Sequence, residues 1–363
     1  MRLPCFRITL VSFAFSLATL TSSAALAAAQ RTFVKSNGAD TNPCSIALPC
    51  RSFTTAVAQT TAGGEVLVLD SAGYGPVTLN QSVSIISPAG VYAGISVPAG
   101  QSGVTINGSS IVVVLRGLTI NGLGGVYGIR IQAATRVHVE SCVVSGMALN
   151  GLELDSDPGA PEVFVKDSIF RDNANYGVYI FVNANVTLDH VRVERSGFNG
   201  VGVDSAVSVS LTISNSVIAA TQGHALVLRS ALGRSSNVSV DHSEFAANIG
   251  SGIDCVVGGG SITLIVARST LRGNGGRGAY VSTSSGTGSV VAAFQDNAIS
   301  GNGASGIYAD NAGVKVSAAN NVVSGNSFGF YQDLGAVFET FSSNTVRNNG
   351  MDVFGTITTL API

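Results

Sequence analysis

The chain has 363 residues, of which only 11% are charged and 45% are hydrophobic, and its formal net charge is −2 at pH 7. This weakly acidic balance gives no basic stripe of the kind that nucleic-acid binding uses, so we expect no nucleic-acid partner. Beyond the first 30 residues, no apolar run reaches the roughly 18 residues that a membrane-spanning helix needs. We therefore expect no transmembrane segment after the N-terminus is removed.

Residues 1–29 have the pattern of a secretory signal peptide. Arg2 and Arg7 precede an apolar run over 8–20, and small residues at 27–29 provide a cleavage site. A retained membrane anchor is the alternative, and it is disfavoured because Ser and Ala dilute the run from Thr21 onward. We expect an exported protein that is secreted, periplasmic or held at the cell surface.

Residues 30–64 are predicted to form an entry segment with a short capping helix. Between Ser52 and Thr61, the residues Phe53, Ala56 and Val57 fall on one helical face, and Ser52 suits the N-cap position. Such a helix would cover the open apolar end of a repeat structure.

Two cysteines in this segment suggest a local cross-link. Cys44 and Cys50 are close in sequence in an exported chain, which favours a disulfide between them. Cys142 and Cys255 are four repeat units apart, about 19 Å at the spacing of stacked strands, so we expect both to be buried thiols.

A unit of about 25 residues recurs from roughly Val113 to the C-terminus, and less regular turns precede it, so residues 65–363 are predicted to form one stacked repeat structure. The core of the unit is a glycine followed by two aliphatic residues that flank one variable residue. The copies are Gly128–Ile131, Gly151–Leu154, Gly177–Ile180, Gly200–Val203, Gly252–Cys255 and Gly306–Ala309. Apolar residues alternate over short runs without a sustained helical period, which indicates strands of about three residues joined by turns. A repeat this short cannot bury its own apolar face, so the copies must stack.

Polar residues also recur at fixed places in the repeat. One column contains Asn173, Asn248, Asn274, Asn302, Asn326 and Asn349, and another contains Ser168, Ser216, Ser243, Ser269, Asn297, Asn321 and Asn344. We expect these side chains to form hydrogen bonds from rung to rung and to adopt left-handed backbone angles at turns. The repeated glycine is expected to occupy a bend where a Cβ would clash, and Gly177→Val is expected to destabilise the fold if φ at Gly177 is positive.

Over residues 31–355, these columns resemble those of the right-handed parallel β-helix family, the pectate-lyase-like superfamily. The resemblance implies an all-β fold, a single-stranded right-handed parallel β-helix of about 13 coils with a short N-terminal capping helix. The family includes polysaccharide lyases, glycoside hydrolases, epimerases, tail-spike proteins and adhesins. The fold therefore leaves the activity open.

The resemblance directs attention to two kinds of catalytic site. Hydrolases of the family place clustered aspartates before the Gly-aliphatic strand, and the corresponding loops here contain no acid, which disfavours a two-carboxylate hydrolase. Lyases of the family need a base and often Ca²⁺ held by aspartates. Asp155 and Asp157 follow a strand and are candidate Ca²⁺ ligands, although Asp, Ser and Pro are also ordinary turn residues.

The stronger candidate is a stripe on the outside of the Gly-aliphatic strands. The variable residue between the two aliphatics, and the residue two positions later, should face outward and stack along the axis. The candidate ligand-binding residues are Arg130, Glu153, Asp155, Tyr179, Asp204, Arg229, Asp254, Tyr280, Tyr308 and Asp310. Tyr rings among carboxylates and arginines suit the flat faces and hydroxyls of a sugar chain. Exposed strands also favour such residues without any ligand.

We therefore predict an exported β-helix protein that binds polysaccharide along this stripe. One alternative is a polysaccharide lyase or another carbohydrate-active enzyme with a divergent site around Asp155, Asp157, Asp204 and Arg229. Another is a structural or adhesive envelope protein without enzymatic activity. His224, alone in a turn, is expected to be a solvated residue.

Overall fold

The structure, a computed structural model, describes Met1 and residues 28–155, 159–284 and 287–361. Nearly all of the predicted signal peptide (1–29) and the candidate ligand Asp157 lie outside these residues. Within the described ranges, no helix combines the length and the apolar character needed to cross a membrane.

The described residues form one short helix and a long series of short strands. The first part contains β1 (Ala29–Val34), α1 (Phe53–Ala58), β2 (Thr60–Val68), β3 (Ala72–Gly73), β4 (Val77–Leu79), β5 (Val83–Ile86), β6 (Ala93–Pro98), β7 (Ser102–Asn107), β8 (Val112–Arg116), β9 (Leu118–Leu123), β10 (Tyr127–Ala133), β11 (Arg136–Glu140), β12 (Val143–Ser145) and β13 (Leu152–Leu154). The middle contains β14 (Glu162–Lys166), β15 (Ile169–Arg171), β16 (Val178–Ile180), β17 (Ala184–Asp189), β18 (Arg192–Glu194), β19 (Val201–Val203), β20 (Val209–Ser214), β21 (Val217–Ala219), β22 (Leu226–Ala231), β23 (Ser235–Asp241), β24 (Glu244–Ala246), β25 (Ile253–Gly258) and β26 (Ser261–Ala267). The last part contains β27 (Thr270–Arg272), β28 (Ala279–Thr283), β29 (Ser289–Gln295), β30 (Ala298–Ser300), β31 (Ser305–Asp310), β32 (Val314–Ala319), β33 (Val322–Ser324), β34 (Phe328–Asp333), β35 (Val337–Phe341), β36 (Thr345–Val346), β37 (Met351–Phe354) and β38 (Ile357–Leu360).

These strands form three parallel sheets that run the length of a solenoid. Sheet A has 14 strands, β1 followed by every third strand from β2 to β38. Sheet B has 12 strands, every third one from β3 to β36, and sheet C has 12, every third one from β4 to β37. Each coil contributes one strand to each sheet, so there are at most 12 complete coils among the described residues, slightly fewer than the 13 predicted.

The core is a set of aliphatic columns inside the coil. In sheet C, Ile129 pairs with Leu152, which pairs with Val178, and all three side chains are fully buried. The parallel register places like residues above one another in successive coils, which is how a repeat of this length buries its apolar face. The predicted β-solenoid is therefore confirmed.

The N-terminal helix is present but shorter than the Ser52 to Thr61 segment suggested. Helix α1 spans Phe53–Ala58, and the Ser52 side chain accepts a hydrogen bond from the amide of Thr55. Phe53, Ala56 and Val57 are buried, as predicted from the helical face. Ahead of the helix, strand β1 adds a rung to sheet A, and this strand was not predicted from the sequence. The expected domain boundary at 64/65 falls inside β2. Cys44 and Cys50 form a disulfide just before the helix.

The two polar columns form hydrogen-bonded ladders. In the first, the backbone N–H and Nδ2 of each Asn from Asn248 to Asn326 donate to Oδ1 of the Asn in the next coil, at 2.8–3.2 Å. Asn349 ends this ladder on Oδ1 of Asp352. In the second, Ser216, Ser243 and Ser269 lead to Asn297, Asn321 and Asn344 in the same direction. The predicted rung-to-rung bonding is confirmed from Asn248 to Asn349 and from Ser216 to Asn344. Asn173 accepts a hydrogen bond from the amide of Met147, but its Nδ2 has no partner among the described residues.

The left-handed backbone angles lie one residue before the ladders, not on the ladder residues as expected. Asp167 and Asn215 have φ of 51° immediately before Ser168 and Ser216 of one column, and Asp172 and Ala247 have φ of 56° and 55° before Asn173 and Asn248 of the other. The turn needs the left-handed residue in front, so that the next side chain points inward and can join its ladder.

This geometry predicts that replacing Ala247 with glycine stabilises the protein. Ala247 is exposed at φ 55°, where the corresponding residues of two later coils are Gly273 and Gly301. Relief of left-handed strain should outweigh the added chain entropy and raise the free energy of unfolding by about 0.5–1 kcal/mol. Chemical denaturation of A247G and wild type measures this difference in the free energy of unfolding. The matched control A298G, on an exposed strand residue, should lose stability, and a loss in A247G as well would contradict the argument.

Candidate ligand-binding site

The outer face of sheet C carries a continuous column of the predicted stripe residues. Strand pairing places the following residues in register on successive rungs: Arg130, Glu153, Tyr179, Gly202, Val227, Asp254, Tyr280 and Tyr308. At about 4.8 Å per rung, this column extends for roughly 34 Å. We call it the sheet C stripe. It also includes Asp155, Asp204, Arg229 and Asp310, which face the same side from the strand ends.

The stripe is longer than the sequence suggested. Tyr331 and Phe354 continue the column after Tyr308, and Thr105 and Thr78 continue it before Arg130. Tyr331 and Phe354 were missed because their coils lack the Gly-aliphatic pattern used to align the repeat; Phe330, an aromatic residue, occupies the place of the first aliphatic.

Several stripe residues are less exposed than expected. Glu153, Asp254 and Asp310 retain 6–7% of their accessible surface. Each of these carboxylates is held by a neighbouring side chain: Glu153 by Asn150, Asp254 by Arg229 and Asp310 by Tyr280.

At the N-terminal end of the stripe, an ion pair lies beside a buried acid. Arg130 binds Asp155 through two nitrogens, with Nη2 at 2.6 Å from Oδ2, and its guanidinium lies 5.2 Å from the centre of the Tyr127 ring. On the next rung, Glu153 accepts a hydrogen bond from Nδ2 of Asn150. Burial raises the pKa of Glu153 to about 7, and the charge of Asp155 adds to the shift while Asn150 and Arg130 oppose it.

The raised pKa predicts that Glu153 lowers stability as pH increases. In the folded protein the Glu153 carboxyl group keeps its proton up to about pH 7, whereas in the unfolded chain it loses the proton near pH 4.5. The stability associated with this group is therefore complete at acid pH and is lost as pH rises between these values. In Glu153→Gln, this decrease should disappear, with a gain of roughly 2–3 kcal/mol over wild type at pH 8. Denaturant unfolding of both proteins at pH 5 and 8 tests it; parallel pH profiles would refute it.

The centre of the stripe contains a cavity of about 320 Å³. Its floor is Gly202, where a Cβ would come within 2.5 Å of the Tyr176 ring. Tyr176 and Tyr179 stack on one wall at 4.5 Å between ring centres, and Tyr179 donates a 2.8 Å hydrogen bond to Oδ2 of Asp204. Burial and the Asp204 carboxylate raise the pKa of Tyr179, so its hydroxyl remains protonated. The missing side chain at position 202 thus opens a space beside an aromatic wall.

The opposite wall contains His224 and Arg229. Nδ1 of His224 accepts a hydrogen bond from the amide of Ser251 at 2.9 Å, and burial lowers the pKa of the ring. The ring is therefore neutral near pH 7 and carries its proton on Nε2. His224, expected to be a solvated turn residue, is instead a half-buried part of the cavity. Arg229 pairs with Asp254 and donates to the Asp254 carbonyl oxygen at 2.8 Å.

The C-terminal part of the stripe is an aromatic cluster. The rings of Tyr280 and Tyr308 are 5.1 Å apart, and those of Tyr308 and Tyr331 are 4.4 Å apart. Arg277 lies over both Tyr280 and Tyr308, at 4.4 and 5.0 Å from the ring centres. Tyr280 donates to Oδ2 of Asp310 at 2.6 Å. The rings form a broad hydrophobic platform with polar edges.

The candidate enzyme site is only partly assembled. Asp204 and Arg229 line the same cavity, but Asp155 lies two rungs away and is paired with Arg130. Asp157 lies outside the described residues. Among those that are described, no group of three or more His, Cys, Asp or Glu side chains is placed to hold a metal ion. Both oxygens of Asp155 are within reach of Arg130, so the Ca²⁺ site stays a prediction that competes with this ion pair.

The sequence matches the family model described as "Right handed beta helix region" over residues 102–265. No curated protein matches it.

Three similar solved structures, each covered over two thirds or more of its length, share the fold at low sequence identity. The A-module of mannuronan C-5 epimerase AlgE6 from Azotobacter vinelandii is 17% identical, with 83% of this chain and 91% of that chain covered and a TM-score of 0.58. A double mutant of the periplasmic alginate epimerase AlgG is 14% identical, with 83% and 77% covered and a TM-score of 0.55. The catalytic domain of a GH87 α-1,3-glucanase in complex with tetrasaccharides is 11% identical, with 90% and 67% covered and a TM-score of 0.54.

The strand order, the match to the family model and the similar structures agree, and they confirm the resemblance drawn from the repeat. The chain therefore has the right-handed parallel β-helix fold.

Proposed function

We propose that the protein is exported and binds polysaccharide along the sheet C stripe. The observation that carries this proposal is the in-register column of tyrosines, carboxylates and arginines around the Gly202 cavity. Two aromatic groups, Tyr176 with Tyr179 and Tyr280 with Tyr308, lie on one face about four rungs apart, or roughly 19 Å. Rings at this separation can stack on different sugars of one extended chain.

The chemistry of the stripe supports a sugar ligand. Tyr and Arg side chains offer flat surfaces for pyranose rings, and the fixed carboxylates of Asp204 and Asp254 can accept hydrogen bonds from hydroxyl groups. The similar structures include proteins named for action on mannuronan, alginate and α-1,3-glucan. The signal-peptide pattern of residues 1–29 supports export, and AlgG is described as periplasmic.

The test is glycan-array binding by wild type and by the Tyr179→Ala/Tyr280→Ala/Tyr308→Ala variant. We expect the variant to bind at least 100-fold more weakly, because the sugar rings of a polysaccharide gain most of their contact area from stacked aromatic side chains. Phe164→Ala, which removes an exposed aromatic from sheet A, is the control and should bind as wild type does. Unchanged binding in the triple variant, with unfolding curves showing that it is folded, would reject the stripe.

A carbohydrate-active enzyme is the second candidate. The observation that favours it is the meeting of Tyr179, His224 and Arg229 around one cavity, since a phenol and a neutral imidazole are groups that can transfer protons. A lyase would release a product with a new double bond, detected by ultraviolet absorbance. Incubation with uronate polymers, with and without Ca²⁺, tests it, and His224→Gln should abolish any activity found. Absence of product across these substrates would remove the lyase.

A further inference from the structure

A second cavity, of about 670 Å³, opens at the N-terminal end of sheet C beneath helix α1. This cavity could not be predicted from the sequence, because it forms where α1 overhangs strands β4 and β7. Its polar lining includes Thr54, Thr78, Asn80, Gln101, Ser102 and Thr105. All of these are hydroxyl or amide side chains, and none of the lining residues is charged.

The cavity belongs to the same face as the sheet C stripe. Thr78 pairs with Thr105, and Thr105 pairs with Arg130, so the two threonines occupy the same column as the stripe residues. A chain lying on the stripe would enter this cavity without changing direction.

The walls of the cavity are fixed, while two of its amides are free to bind. Nε2 of Gln81 donates to the carbonyls of Val57 and Thr60 at 3.0 and 2.9 Å, and Thr54 donates to the carbonyl of Pro76 at 3.1 Å. These bonds hold α1 over the strands. The side chains of Asn80 and Gln101 are exposed and make no hydrogen bond to any other part of the chain that the structure describes. Such a cavity has the size and the mixture of apolar and neutral polar groups of a sugar site.

The charges along the stripe oppose an acidic ligand. Two of its arginines, Arg130 and Arg229, are already paired with Asp155 and Asp254, and Arg277 is stacked on tyrosine rings. None of the three lysines lies on sheet C: Lys166 and Lys315 are on sheet A, and Lys35 follows β1. The aspartates exceed the arginines, with Asp155, Asp204, Asp254, Asp310 and Asp333 on this face. A polyuronate would meet net repulsion here.

We infer that the cavity beneath α1 is a subsite for uncharged sugar residues and that the ligand is a neutral polysaccharide. This inference rests on the proposed binding function and specifies its ligand. A neutral chain would extend from the cavity on β7 to the aromatic cluster on β31, eight rungs or about 38 Å. A neutral chain has no uronate carboxylate to acidify the neighbouring proton, so the same inference argues against the lyase.

The first test compares ligand classes with the intact protein. Neutral β-glucan, mannan and galactan are compared with alginate and polygalacturonate by affinity electrophoresis and calorimetry at low and high salt. We expect at least one neutral polymer to bind at least tenfold more tightly than either polyuronate, with little salt dependence. Preferential binding of a polyuronate, weakening with salt, would overturn the inference but leave the proposed function intact. No binding to any polymer would overturn both.

The second test addresses the cavity. Asn80→Ala/Gln101→Ala changes only exposed side chains, so the fold should be retained. With the neutral polymer that wild type binds, the variant should lose at least tenfold in affinity for long chains and show no change with oligosaccharides too short to reach from the aromatic cluster. The matched control Asn237→Ala/Gln295→Ala, on sheet A, should bind as wild type does. Equal binding of long chains by the cavity variant would exclude the subsite.

Discussion

Replacing Asn302 with alanine should destabilise the protein by about 3–5 kcal/mol. Its side chain is buried at the centre of the Asn ladder. Oδ1 accepts from N and Nδ2 of Asn274 at 3.1 and 2.9 Å, and Nδ2 donates to the carbonyl of Leu271 and to Oδ1 of Asn326 at 3.1 and 2.9 Å. Alanine removes all four bonds. The buried backbone N–H of Asn274 loses its acceptor, whereas Nδ2 of Asn274 keeps the carbonyl oxygen of Phe245 and Oδ1 of Asn326 keeps the backbone N–H of residue 302. Chemical denaturation followed by circular dichroism measures the loss of stability, since the chain contains no tryptophan for fluorescence detection.

Two further variants separate the ladder from a general effect of losing an asparagine. Asn237→Ala removes an exposed Asn from sheet A and should change stability by no more than about 0.5 kcal/mol. Asn302→Asp keeps the shape and an acceptor but buries a carboxyl. Its deficit should shrink as pH falls, because the protonated acid can donate to Asn326 again. If N302A were as stable as N237A, the ladder would contribute little.

Gly177→Val should cost about 3 kcal/mol through overpacking. A Cβ at this position would lie 2.3 Å from Cγ1 of the buried Val193 and 3.0 Å from the carbonyl oxygen of Gly200. That oxygen accepts the amides of Gly177 and Val178, so displacing it would weaken the rung. Gly177 is not among the glycines in the left-handed region, so the expected loss does not come from a positive φ. The glycine is needed for close approach, not for its backbone angle.

A double variant distinguishes these two explanations. Gly177→Ala already introduces the Cβ that meets Cγ1 of Val193, so combining it with Val193→Ala, which removes Cγ1, should cost less than the sum of the two single changes, whereas a φ effect would be additive. The control is Gly73→Val on β3, where the only atom near a new Cβ is 3.8 Å away. Comparable stability of G177V and G73V would show that the clash is relieved without cost.

The solenoid could be predicted from the sequence because each coil repeats the same burial problem. Val178 and Ile180 flank an outward Tyr179, and the same pattern recurs coil after coil, which sets both the strand and its register. The Asn columns could be recognised for the same reason, since a buried ladder tolerates few other side chains. Strand β1 could not, because it belongs to no repeat and is defined only by its pairing with β2.

The residues of the candidate site could be predicted where they lie on the strands of the sheet C stripe, but not where they lie in the turns before those strands. Arg130, Tyr179 and Tyr280 were placed correctly because period-two alternation fixes the face of a strand. Tyr176 and His224 lie in the preceding loops, and nothing local in the sequence indicates that their rings fold back over Gly202. The burial of Glu153 also depends on neighbouring coils, so its raised pKa could not be inferred from composition or spacing.

The one-way direction of the Asn ladder restricts how such a chain can change length. From Asn248 to Asn326, each side-chain amide donates a hydrogen bond to the Asn of the following coil. Duplication or deletion of one whole coil in this part therefore joins matching donors and acceptors and keeps the residues of the sheet C stripe above one another. A partial insertion within a strand would instead shift the register. An aliphatic side chain would then lie opposite an Asn of the ladder, and the residues of the sheet C stripe would no longer lie above one another. Differences in length among natural variants should therefore be multiples of an entire coil or be confined to the turns.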